Sequence, residues 1–254
     1  MVTTLNIEPI PAFSDNYIWL LHNGTDAFVV DPGDASPVLQ ALSVRDLTLK
    51  GILITHHHFD HVGGIDALKE AAQCEIWGPE NPKITPVTHR VREGDTLNVL
   101  GSPLHIIEVP GHTLDHIAYQ GDGVLFCGDT LFAGGCGRVF EGTHPMMRKS
   151  LAKLRSLSPA TKVYCAHEYT LANLQFALEA DPNNAALVER LAYCESLRKQ
   201  NIPTVPSLLA DEIATNPFMR WDAPDVVKKL TAESRSVGTD DEVFAGLRLW
   251  KDTF

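Results

Sequence analysis

The stretch Thr55–Gly64 reads THHHFDHVGG and puts four histidines and an aspartate into the positions from His56 to His61. It follows LKGILITH (Leu49–His56), a β-branched apolar run of strand length, so the imidazoles gather in the loop at a strand's C-terminal end. That edge is where α/β proteins build their sites. If the backbone stays extended past Thr55, His56 and His58 point to the same side and can share one metal ion. Asp60 and His61 follow a turn later, where Gly63-Gly64 lets the chain bend into a helix, and they face a slightly different point. One cation needs three or four ligands, and this loop offers two pairs.

Three other strand ends supply what is missing. EVPGHT places His112 after an apolar run and a Pro-Gly turn, LFCGDT places Asp129 after a run ending in glycine, and VYCAHEY places His167 after the last strong run. A lone histidine or aspartate at such a place is usually a turn or cap residue. Four strand ends carrying these donors together point to a site. Neutral imidazole and carboxylate suit Zn(II), Fe or Mn, whereas a structural zinc site more often uses thiolates. His57 alternates away from His56 and His58 and is expected to stay off the metal, while His22, His89, His105 and His144 show no partner in sequence. His116, four residues after His112, is open between a supporting role behind the ligands and a plain turn residue.

The surrounding pattern gives the class. IWLLH (Ile18–His22) and AFVVDPG (Ala27–Gly33) flank an Asn-Gly turn, and HIIEVPGH, GVLFCGDT and KVYCAHEY follow as further apolar runs. Helical patterns open after Gly64 and span Pro145–Leu157, with proline at the start of the second. Strands alternating with helices, after an early hairpin, give an α/β protein with mixed sheets. From about residue 170 the chain turns rich in Ala, Leu and Glu with helical periodicity, which sets the expected domains at 1–169 and 170–254, the second all-helical.

At 254 residues with 44% hydrophobic and 21% charged residues, the chain has the composition of a globular protein of one large domain or two modest ones. The balance of 21 basic to 32 acidic residues, a net charge of −11, argues against nucleic acid or an anionic membrane as partner. No apolar run is long enough to span a bilayer, and the N-terminus lacks a basic segment leading into a long apolar one. Five scattered cysteines without a CxxC pair read as reduced thiols, so the expected compartment is the cytoplasm. GGCGRVFEG (Gly134–Gly142) lacks the G-x-G-x-x-G spacing of a nucleotide loop, and no G-x-S-x-G or Cys–His pattern offers a covalent nucleophile.

THHHFDH resembles the T-H-x-H-x-D-H motif of the metallo-β-lactamase superfamily, and PGHT, GDT and AHEY follow in that superfamily's order. The steps are 51 residues from His61 to His112, 17 to Asp129 and 38 to His167. Within it, FSDNY, DPGD, LFAGGCGRVFEGT, CAHEYT, NPFMR and RLWKD are similar to the glyoxalase II (hydroxyacylglutathione hydrolase) family, over essentially the whole chain. The resemblance implies a four-layer αββα sandwich followed by a helical C-terminal domain. It implies two divalent metal ions, zinc with iron or manganese as alternatives. His56, His58 and His112 would hold one, Asp60, His61 and His167 the other, with Asp129 bridging both. His56, His58, Asp60 and Asp129 are the catalytic candidates. The implied reaction is hydrolysis of S-D-lactoylglutathione to D-lactate and glutathione, the second step of methylglyoxal detoxification, and the implied partner is a small glutathione thioester. Separately from the resemblance, a monomer is expected. Arg138, Tyr169, Arg248 and Lys251 fall at the family's glutathione-binding positions. Phe140 departs from the tyrosine of many relatives, keeping the ring and losing the hydroxyl's hydrogen bond.

Rival activities on the same scaffold fit less well. A nuclease calls for a more basic surface, a secreted lactamase for a signal peptide, and a persulfide dioxygenase for a single iron without the long helical C-terminus. A di-iron electron-transfer protein usually brings a flavin module, for which there is no room, and a metal-storage module would be redox-silent and without hydrolysis.

Overall fold

The computed structural model describes residues 5–85 and 87–254. The chain forms two compact units, one running through Glu108 and resuming over Asp115–Gly128, the other made of Val109–Leu114 and Asp129–Phe254.

In the first unit, β1 (Asn6–Ala12), β2 (Asn16–His22) and β3 (Asp26–Val30) form an antiparallel meander. The predicted Asn-Gly turn joins the last two, with Asn23 Oδ1 accepting from the amides of Thr25 and Asp26 at 3.0 and 2.9 Å. From β3 the sheet turns parallel through β4 (Thr48–Leu53), β5 (Glu75–Gly78) and β6 (His89–Arg90). Helix α1 (Ala35–Arg45) makes the β3–β4 crossover; α2 (Phe59–Val62) and α3 (Ile65–Ala72) make the next. Val38 and Leu42 of α1 and Ile65 and Leu68 of α3 pack with Leu20, Val29 and Ile52 of the sheet in one apolar core. Each such side chain contributes about 1.5–3 kcal/mol on burial.

A second antiparallel sheet follows as β7 (Thr96–Val99), β8 (Ser102–Glu108), β9 (Ile117–Gly121) and β10 (Val124–Gly128). The fully buried Tyr119 of β9 donates its hydroxyl to Ile54 O at 2.7 Å, tying this sheet to the end of β4. Burial pushes that phenol well above its ordinary pKa, so it stays a donor.

The second unit contains the β11–β12 hairpin (Leu131–Phe132, Gly135–Cys136), α4 (His144–Arg155) and β13 (Lys162–Cys165). Helices α5 (Thr170–Ala180) and α6 (Ala185–Lys199) come next, then β14 (Ser207–Leu208), antiparallel to β13, and α7 (Leu209–Thr215). After a short 3₁₀ turn at Pro217–Met219, α8 (Pro224–Ala232) and α9 (Asp240–Lys251) complete the chain. Thr239 and Glu242 form a capping box at the start of α9.

Two local expectations are corrected. Strand β1 is absent from the sequence reading because Pro9 and Pro11 interrupt it; both sit on an edge strand, where a missing N–H breaks no ladder. The Gly63-Gly64 pair supplies no special bend, since Gly63 is right-handed helical at φ −60° and Gly64 lies at φ −87°. The glycines are needed for space. A Cβ on Gly64 would lie 2.6 Å from both Ala35 N and Pro32 O, backbone atoms that cannot give way. Gly64→Ala is therefore expected to destabilise the protein by about 2 kcal/mol, the usual cost of overpacking, read as a lower urea midpoint at unchanged slope. An unchanged midpoint would refute this packing role.

Candidate metal centre

Parallel strands β3 and β4 pair Val30 with Leu53, so the chain that leaves each brings the Asp31 side chain within reach of Thr55. Asp31 Oδ1 accepts from the Thr55 amide and Oδ2 from the Thr55 hydroxyl, both at 2.7 Å. The hydroxyl, its proton committed to Asp31, accepts in turn from His56 Nδ1 at 3.0 Å. His61 Nδ1 also lies 3.0 Å from Asp31 Oδ2. One buried carboxylate thus places the proton of both imidazoles on Nδ1 and leaves each Nε2 as a lone pair.

Those lone pairs face other donors. His56 Nε2 is 3.1 Å from His58 Nδ1, as the extended backbone at His58 (φ −63°, ψ 145°) allows. His61 Nε2 is 3.4 Å from Asp60 Oδ2, which accepts from Asn16 Nδ2 at 2.9 Å. His116 resolves toward support: buried, its ring stacks on His56 at 4.5 Å and 15°. His57 turns away and pairs with Asp115.

The second unit holds His112, Asp129 and His167, all buried. His112 Nδ1 donates to the Arg138 carbonyl at 2.7 Å, so its Nε2 is again a lone pair. That Nε2 stands 3.3 Å from Asp129 Oδ2, and His167 Nε2 stands 3.3 Å from Asp129 Oδ1. A lone pair opposite a carboxylate oxygen is repulsive unless a cation lies between. Donors about 2.0–2.2 Å from one tetrahedral cation sit roughly 3–3.5 Å apart, which matches both sets. The donor chemistry fits divalent ions, and one carboxylate offers an oxygen to each of two imidazoles. Gly137 makes room for it: a Cβ there would lie 1.9 Å from Asp129 O and 3.1 Å from His112 Nδ1.

The expected substrate residues lie in the same unit. Tyr169 stacks on His167 at 4.6 Å and 7°, and exposed Phe140 meets His112 edge-on at 5.3 Å. The exposed Arg138 carries its guanidinium 5.9 Å over Phe140, with Nε 3.7 Å from Asp252 Oδ1. Arg248 is buried, donating to Cys136 O at 3.0 Å and pairing with Asp252 at 2.9 Å, so its groups are already engaged within the protein. Lys251 donates to Ala172 O at 3.2 Å; its burial and the neighbouring Arg248 lower its ammonium pKa. Burial raises the Cys136 thiol to about 11 and the Cys165 thiol to about 12, far from thiolate ligands or nucleophiles.

Sequence reasoning missed Asp31 and Asn16 as the partners of the donors. Their motifs, DPGD and FSDNY, were visible, but the strand register that brings them to His61 and Asp60 was not.

Comparison with known proteins agrees with this architecture. The family model described as metallo-beta-lactamase superfamily matches residues 12–90 and 77–167, and the one described as hydroxyacylglutathione hydrolase C-terminus matches residues 168–254. A hydroxyacylglutathione hydrolase of Nitrosomonas eutropha is 49% identical over 98% of this chain and 99% of its own length. One of Pseudomonas aeruginosa is 50% identical over 98% of this chain and 100% of its own. Among solved structures, ETHE1 from Myxococcus xanthus matches with a TM-score of 0.68 at 24% identity, covering 97% of this chain and 90% of that one. TTHA1623, solved in a di-iron-bound form, matches with a TM-score of 0.53 at 27% identity over 63% of this chain and 91% of that one. With a metallo-β-lactamase fold, a helical C-terminal region and near-full-length relatives at about half identity, the chain belongs to the hydroxyacylglutathione hydrolase family of the metallo-β-lactamase superfamily.

Proposed function

We propose that the chain hydrolyses S-D-lactoylglutathione and related S-2-hydroxyacylglutathiones to the hydroxy acid and glutathione, at a centre of two divalent ions, zinc with iron or manganese as substitutes. The observation that carries this reading is Asp129, whose two oxygens each stand 3.3 Å from a different histidine nitrogen. His56, His58 and His112 are assigned to one ion, Asp60, His61 and His167 to the other, and Asp129 to both. Ions bound there supply an acidified water and positive charge opposite the developing oxyanion.

The chain's own groups do the rest. Asp60, held by Asn16, orients the attacking water. Water adds at the thioester carbonyl through its oxygen and gives its protons to solvent, the C–S bond breaks, and the electron pair leaves on sulfur as a thiolate, so that carboxylate and thiolate form without an acid from the protein. No acyl-enzyme is required, in keeping with thiols raised far above neutrality at Cys136 and Cys165.

Glutathione brings two carboxylates and one ammonium, so an acidic protein needs a local cationic surface. Arg138, Lys251 and the Tyr169 hydroxyl are assigned to it, with Phe140 as an apolar wall. Arg248 adds its charge from beneath and holds Asp252, which also faces Arg138. Five buried free cysteines support a reducing cytoplasm, and no helix among the described residues is long and apolar enough to cross a membrane. The expected working unit is a monomer.

Purified protein is expected to hydrolyse S-D-lactoylglutathione; His58→Ala should lose both bound metal and turnover. Lys251→Ala should raise KM about tenfold at little change in kcat, the loss of one charge-assisted contact. A fully metallated wild type that leaves this thioester intact would sink the substrate assignment. Asp31→Asn keeps the shape of the side chain and puts an amide donor where acceptors are needed. Metal affinity measured by chelator competition should then fall roughly 10–100-fold, and unchanged affinity would count against the orienting role of Asp31.

A further inference from the structure

His57 stands between two proposed ligands and points the other way, yet its side chain is only 9% exposed and that of its partner Asp115 only 7%. Burying an imidazole and a carboxylate is costly unless their polar atoms are matched, and here all four are. His57 Nδ1 lies 2.9 Å from Asp115 Oδ1, and Asp115 Oδ2 accepts from Asn81 Nδ2 at 2.8 Å. Lys83 Nζ lies 3.0 Å from His57 Nε2. An ammonium only donates, so Nε2 is the acceptor and the ring proton sits on Nδ1, facing Asp115. Lys83 therefore selects the tautomer that makes the Asp115 bond.

The clamp reaches the inward-facing rings on both sides. His57 meets His58 edge-on at 5.1 Å and 63°. Asp115 is followed by His116, whose ring stacks on His56. Three separate chain segments, 57–58, 81–83 and 115–116, are thereby fixed to one another behind the ligand pair.

We propose that His57 is a positioning residue for the metal centre: its Lys83-selected tautomer locks the loop to Asp115, so that His56 and His58 are preorganised before a metal ion arrives. The proposal rests on the assignment of His56 and His58 as ligands. It predicts that the clamp acts on metal affinity and ligand geometry beyond any stability lost when the buried Asp115 carboxylate is left without its partner.

The test uses full-length protein stripped of metal, with Co(II) as probe. Affinity is measured by chelator competition, ligand geometry by the visible absorption of the Co(II)-loaded protein, and the metal-free fold by thermal unfolding. His57→Ala is expected to weaken Co(II) binding about tenfold and shift the visible bands, while the metal-free protein stays folded with a lower unfolding temperature because Asp115 Oδ1 loses its buried partner. His57→Asn, whose amide nitrogen takes the place of Nδ1 on Asp115, is expected to recover most of the affinity and the wild-type spectrum. His57→Ala binding Co(II) with wild-type affinity and spectrum would overturn the proposal, and so would alanine and asparagine variants that fail alike. His58→Ala separates the two assignments. If it loses Co(II) while His57→Ala does not, the positioning role fails and the ligand set stands; if it also binds normally, both fall.

Discussion

The carboxylate of Asp31 is the constraint on which the first donor set depends. A buried charge of this kind costs several kcal/mol unless it is matched by hydrogen bonds. Here the Thr55 amide, the Thr55 hydroxyl and His61 Nδ1 match it. Asp31 itself sits at φ 51°, a left-handed conformation that costs a non-glycine residue on the order of 1 kcal/mol. The surrounding register of β3 and β4 holds it there. Its effect on chemistry is indirect and specific: through Thr55 and directly, it fixes which nitrogen of His56 and of His61 keeps its proton. Imidazoles free to change tautomer would offer a metal ion the wrong atom part of the time.

The second unit reaches the same end with backbone in place of a carboxylate. The Arg138 carbonyl takes the proton of His112 Nδ1, and that carbonyl is in place because the glycine-rich segment passes close over Asp129. The segment is anchored at its other end by Glu212, fully buried, which accepts from the Gly134 amide at 2.8 Å and from Asn216 Nδ2 at 3.1 Å, and is paired with Arg190. Gly137 in this segment is there for close approach to the backbone of Asp129.

Charge follows a similar division of labour. The protein is acidic as a whole, and the basic residues assigned to glutathione differ in how freely they act. Arg138 is exposed at the surface, Lys251 is half-buried with a lowered pKa, and Arg248 is wholly engaged inside. A guanidinium with this many fixed partners shapes the potential of the site and the position of Asp252 more than it reaches for a ligand.

Sequence by itself singled out the candidate donors. His56, His58, Asp60, His61, His112, Asp129 and His167 each stand at the end of an apolar run or in the loop just after it, and side-chain chemistry with strand periodicity suffices to pick them out. It also determined the α/β class, the Asn-Gly hairpin and the helical C-terminal stretch, because these follow from local pattern and turn chemistry. Strand β1 escaped, since prolines are read as breakers and only its place at a sheet edge makes them harmless. Tertiary structure alone decided which atoms of the donors are offered. The Asp31–Thr55 pairing depends on parallel register across 24 residues, and the His112 proton rests on a backbone carbonyl 26 residues away. A carbonyl belongs to every residue alike and leaves no trace in the sequence, and register is fixed only when the sheet closes.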